Sequence, residues 1–220
     1  MGVLKAAETG TASGNYSLVT VLGDGKNGRR QVTLGIQFDE ASGDLGRVLD
    51  LYAKRGGRYA QELSRYRSLV NTGDDDVSTV LARDNTFKAL LREAGSDPVM
   101  QSVQDFIFAA ETWDPAQRWF DKNGFTLPLS MLVISDSFLQ SGSMLWFLRQ
   151  RFKEVPPAKG GREKVFISDY TNHRHLWLSG SGNRAIHNSA YRTRCYLSQI
   201  NSDNWDLDSL PIVMNEVRVA

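Results

Sequence analysis

A chain of 220 residues, 41% hydrophobic and 23% charged, holds enough apolar material for a sizeable core, which excludes a disordered or fibrous protein. Its formal net charge of +1 supplies no broad field for nucleic acid and no long-range pull on a polycation, so any ligand must be held by local chemistry. Cys195 is the only cysteine, which rules out an internal disulfide, and no stretch approaches the roughly 20 apolar residues of a membrane span.

The opening "MGVLKAAETG" lacks the apolar run of a secretory signal. The expectation is therefore synthesis in the cytoplasm and delivery by another route if the target lies outside. A short helix ending at Glu8 leads to "YSLVTVL" (16–22), which alternates with period two, and "RQVTLGI" (30–36) repeats the pattern after the turn-forming "GDGKNG". Together they predict a β-hairpin. From Asp44, placed as an N-cap, Leu45, Val48, Leu49 and Tyr52 share one helical face until Gly56-Gly57 ends the run. Helices then follow with little interruption. Asp97 before Pro98 and Asp114 before Pro115 each mark a helix start, the second run closing at Gly124.

"LPLSMLVISDSFLQSG" (127–142) is apolar on nearly every face and reads as a buried central helix. Asp136 interrupts it, and a carboxylate there requires partners because an unpaired buried charge is costly. Further helices are predicted over 143–153, 163–178 and 188–200, separated by "VPPAKGG" and "SGSGN". The sum is a mostly helical α+β protein with one small antiparallel sheet near its N-terminus, forming a single domain over 1–220.

Two carboxylates are placed for acid–base chemistry. Glu8 ends a helix and Asp24 sits in a hairpin turn, so the pair can face one another across a cleft. Glycoside hydrolysis with inversion uses such a pair roughly 6.5 to 9.5 Å apart, one protonating the leaving oxygen and the other activating water. Thr33, on the return strand, can hold that water. Spacing alone does not separate this pair from the many chance pairs of acidic residues in any protein. His173 and His175 share a side only in a strand and have no third ligand at metal-site spacing, so they read as part of a surface helix. Trp113, Trp119, Trp146, Trp177 and Trp205 fit helical core faces.

The order Glu8, "LGDGK…VTLGIQF…SGDLGRVLDLY" resembles the catalytic region of bacterial chitosanases in the lysozyme-like superfamily. The likeness continues through "DPVMQSVQDFIFAAETWDPAQRWFDKNGF", "SDSFLQSG" and "YRTRCYLSQINSDNWDL", and so runs over most of the chain. It implies a lysozyme-like fold with two lobes around a cleft, Glu8 as general acid, Asp24 as general base and Thr33 as an aid to the water. Asp44 matches a position that contacts a substrate amino group, and Lys26 stands where the family has an arginine. Asp136 and Arg194 would belong to a buried ion network supporting the acid. The implied activity is hydrolysis of β-1,4 bonds in an amino-sugar polymer, without cofactor or metal, and without nucleic-acid or membrane partners. Chitosan is the substrate that the resemblance implies. The near-neutral charge and the missing export signal tilt the expectation toward peptidoglycan, attacked by a phage lysin or an injected antibacterial effector. The extra hairpin residues "KNGRRQV" motivate a third reading, a non-catalytic glycan-binding module on a hydrolase scaffold.

Overall fold

The computed structural model describes residues 1–23, 28, 30–36, 38–40, 44–70 and 72–220. These residues are mostly helical, with two small antiparallel sheets, and they divide into two compact units.

One unit spans Glu8–Ile107. Its sheet has the order β1 (Val19–Leu22), β2 (Gln31–Leu34), β3 (Phe38–Asp39), all antiparallel. The hairpin is the one that the alternating pattern predicts, and its register sets Thr20 opposite Thr33 and Val21 opposite Val32. β3 is an addition, pairing Thr33 with Asp39 and Leu34 with Phe38. The pleat sends alternate side chains to opposite faces: Val32, Leu34 and Phe38 are fully buried, while Gln31, Thr33 and Asp39 keep partial exposure. The inner face packs on α2 (Asp44–Lys54), α4 (Asp75–Arg83) and α5 (Asn85–Gly95), with α3 (Ala60–Ser64) beside α2 and α5. Leu45, Val48 and Tyr52 of α2 are fully buried, as their shared face predicts, but Asp44 is the first residue of the helix and not the N-cap before it. α6 (Pro98–Phe108) starts where the Asp-Pro signal places it. The Asp97 carboxylate accepts from the Val99 amide at 2.9 Å, and also from the Tyr52 hydroxyl at 2.6 Å and the Arg58 amide at 2.9 Å. One cap thus ties the start of α6 to α2 and the loop after it.

α6 also fixes the segment between Glu8 and β1. Gln104, fully buried, donates to the Tyr16 carbonyl at 3.0 Å, and the Tyr16 hydroxyl donates to the Asp105 carboxylate at 2.9 Å. At the end of β2, Gly35 has φ +62° and donates to the Leu18 carbonyl at 2.7 Å, and a Cβ there would collide with the Gln104 amide. Gly35→Ala is expected to destabilise the protein by about 1–2 kcal/mol from the left-handed backbone alone, and further through displacement of Gln104. A urea midpoint equal to that of the unsubstituted chain would contradict this.

The other unit joins Met1–Ala7 to Phe108–Ala220. α1 (Gly2–Thr9) gives it the buried residues Val3, Leu4, Ala6 and Ala7, and its last two residues, Glu8 and Thr9, belong to the first unit. At the centre is α8 (Pro128–Ser141), buried continuously from Leu129 to Ser137, which packs against α7 (Asp114–Lys122), α10 (Glu163–Ser179) and α12 (Ala190–Asn201). Gly142, at φ +69°, ends α8 as the sequence indicates.

Three sequence expectations fail in this unit. Asp114 is not an N-cap: it has helical φ −63° and ψ −42°, and a π-helical turn over Ala109–Trp113 carries the chain from α6 into α7 without a stop. The helix expected over 143–153 shortens to α9 (Trp146–Arg149). A second hairpin, β4 (Ile212–Met214) with β5 (Val217–Val219), lies near the C-terminus, where none is predicted. α11 (Arg184–Asn188) precedes α12 in the stretch just after "SGSGN". Among the described residues no helix is long and apolar enough to cross a membrane.

Candidate active site

Glu8 lies in the last turn of α1, half-buried, and lines a groove of about 260 Å³ on the outer face of the three-stranded sheet. Thr20 from β1, Gln31 and Thr33 from β2 and Asp39 from β3 line the same groove, with Gly35 and Ile36 at the β2–β3 turn. The alternation that buries Val32 and Leu34 presents their neighbours to this face. Two of the predicted site residues, Glu8 and Thr33, are therefore brought together. A carboxyl group that shares a groove with hydroxyls can exchange a proton with a bound molecule while a hydroxyl orients water beside it.

Asp24 and Lys26 lie outside the described residues. Asp44 begins α2 and is not among the described residues lining the Glu8 groove. Asp39 was not singled out from sequence. A two-residue strand is too short for alternation to be visible, and only its pairing with Thr33 places it in the groove.

Asp136 on α8 is fully buried and has the partners that its position demands, but Arg194 is not one of them. Its carboxylate accepts from Arg174 on α10 at 2.7 Å and from Arg192 on α12 at 2.6 Å. Arg174 also donates to the Asp136 carbonyl at 3.3 Å and to Gln140. Arg194 is exposed. The physical reason is helical phase: at about 100° per residue, positions 192 and 194 point to opposite sides of α12. Burial by itself would raise the Asp136 pKa, but the Arg192 and Arg174 charges and hydrogen bonds outweigh it and hold the carboxyl below the usual range. Cys195 is packed beside this cluster, and its thiol is pushed up to about 12 by burial and by the Asp136 charge, so it is a poor nucleophile.

α12 also reaches α1. The Tyr191 hydroxyl, one residue before Arg192, donates to the Ala7 carbonyl at 2.7 Å, satisfying one of the carbonyls left open at the helix end immediately before Glu8.

The histidines have ordinary roles on α10. His173 Nδ1 is 2.8 Å from the Asp169 carbonyl, and His175 Nδ1 is 2.8 Å from the Thr193 hydroxyl. Among the described residues no group of three or more His, Cys, Asp or Glu side chains could hold a metal ion. Of the five tryptophans expected on core faces, only Trp205 is buried: Trp113, Trp119 and Trp177 are half-buried, and Trp146 is 69% exposed, edge-on to Phe147.

The family model described as glycosyl hydrolase family 46 matches residues 2–212 and so spans both units. Among solved structures, the chain is similar to a mutant chitosanase from Bacillus subtilis complexed with 6 GlcN, with TM-score 0.82 and 21% identity over 100% of this chain and 96% of that one. It is also similar to a family 46 chitosanase from Gynuella sunshinyii in complex with chitotetraose, with TM-score 0.77 and 22% identity over 96% of this chain and 90% of the other. A native Bacillus subtilis chitosanase gives TM-score 0.76 and 22% identity, with 98% and 92% covered. At these identities the likeness establishes the fold alone, a mostly helical α+β architecture. No curated protein matches the chain.

Proposed function

The chain belongs to glycosyl hydrolase family 46 and is a glycoside hydrolase, and from that premise we propose that its substrate is chitosan, cut at β-1,4 bonds with inversion of the anomeric centre. The observation that carries this reading is the groove in which Glu8 meets Thr33 on the sheet of a family 46 fold. Glu8 protonates the leaving glycosidic oxygen as the C–O bond breaks. Asp24, assigned from the family resemblance, removes a proton from the attacking water, and Thr33 holds that water by a hydrogen bond. Tyr191 steadies the end of α1 from which Glu8 projects.

Chitosan is supported over peptidoglycan because solved structures of like fold include chitosanases, among them complexes with chitotetraose and with 6 GlcN. The near-neutral net charge does not weigh against chitosan, since a carboxylate inside a groove can bind a cation whatever the sum of charges over the surface. The direct test compares reducing ends released from soluble chitosan and from purified murein sacculi. Release from chitosan is expected, and release from murein alone would overturn the assignment. Proton NMR should show the α anomer as the first product from the β-linked chain.

Thr33→Val is expected to lower kcat by about 3- to 10-fold with KM little changed, the loss of one neutral hydrogen bond to water. An unchanged kcat would remove Thr33 from the water site.

A further inference from the structure

We propose that Asp39 is a specificity-determining residue that holds the protonated amine of a glucosamine unit bound beside Glu8, so that the groove selects deacetylated sugar. The inference rests on the chitosan reading and adds to it a residue that the resemblance does not supply. Asp39 stands directly across from Thr33 in the antiparallel pair, and side chains directly opposite one another project from the same face of a sheet. Both therefore open into the groove that Glu8 lines, while Phe38, the residue before Asp39, is fully buried on the other face. The Asp39 carboxylate thus stands beside the hydroxyl assigned to the water and on the same groove as the assigned acid.

Its chemistry suits one substituent of the polymer. Each deacetylated unit carries an ammonium with three N–H donors, and a carboxylate accepts a charge-assisted hydrogen bond from such a group. Its several lone pairs let it serve a partner within the protein and a ligand together. An N-acetylated unit offers one neutral amide N–H and a bulkier acyl group, so it forfeits the charge term. The net charge of +1 adds weight, because no long-range field gathers a polycation and recognition has to come from carboxylates inside the groove. Asp44, which the family resemblance matches to an amine-contacting position, is not among the described residues of this groove.

The test compares the unsubstituted chain and Asp39→Asn on chitosan of low and of high acetylation, by initial rates of reducing-end release. On the deacetylated polymer kcat/KM should fall about 10- to 100-fold, the worth of one charge-assisted hydrogen bond, with most of the loss in KM. The loss should shrink as acetylation rises, and Asp39→Glu, which keeps the charge, should retain most of the preference. Thermal melts confirm that each variant is folded, and Asp39→Ser serves the same comparison if Asn is not tolerated. An equal loss on both polymers, a fall in kcat alone, or no change would overturn the assignment. If the unsubstituted chain released no ends from either polymer, the substrate reading would fail first and this inference with it, an outcome distinct from active enzyme insensitive to residue 39.

Discussion

Glu8→Gln is expected to lower kcat on chitosan by about 10²- to 10⁴-fold, the range in which a positioned general acid acts, or about 3–5 kcal/mol of barrier. The substitution keeps the shape of the side chain and removes only the proton that the leaving oxygen must receive. Binding should persist, so KM should change little, and a loss confined to kcat identifies a group that acts in the transition state. Folding should persist as well, because Glu8 is half-buried in the last turn of α1 and the helix is anchored through Val3, Leu4, Ala6 and Ala7. Initial rates and a thermal melt on the same sample decide the matter. Activity within several-fold of the unsubstituted chain would exclude Glu8 as the acid. A folded, unsubstituted chain with no turnover at all would instead favour the glycan-binding module.

Asp136→Ala carries the largest expected effect on stability, about 3–5 kcal/mol, the cost of removing one partner from a buried ion cluster. The Arg174 side chain is 0% exposed and that of Arg192 is 5% exposed, so neither guanidinium can recover its hydration without opening the packing of α8, α10 and α12. The same cluster sets a pH dependence. Because the folded pKa of Asp136 is lowered, its contribution is fully present above the ordinary carboxylate value of about 3.9 and is lost as pH falls through the still lower folded value. Urea midpoints measured from neutral pH downward should therefore show an acid loss that Asp136→Asn removes in part, on a baseline already less stable. A midpoint for Asp136→Ala within about 1 kcal/mol of the parent would mean that the arginines find other partners.

The elements read correctly from sequence are those whose signal is local. The hairpin over 16–36 follows from alternation, and the start of α6 from an aspartate that caps with its own side chain. The identity of α8 as the central helix follows from its lack of any polar face. The same local rule fails at Asp114-Pro115, because a π-helical turn lets the chain continue where a cap would stop it. The C-terminal hairpin escapes for a similar reason. Its turn places Asn215 and Glu216 at positive φ, 48° and 71°, and a glutamate is a weak sign of that conformation.

The candidate site divides along the same line. Residue chemistry and order determine a glutamate at a helix end, a threonine on the return strand and a helix carboxylate that has to be paired, because these needs are written in single residues and their near neighbours. Which arginines answer Asp136 is decided by the phase at which α10 and α12 meet α8, and a shift of two residues turns a buried guanidinium into an exposed one. Asp39 enters the groove only because β3 closes against β2 in one register. Sequence by itself set which groups were required. Tertiary structure alone chose which copies meet, since that depends on helix rotation and strand register, and both are fixed by the packing of segments far apart in the chain.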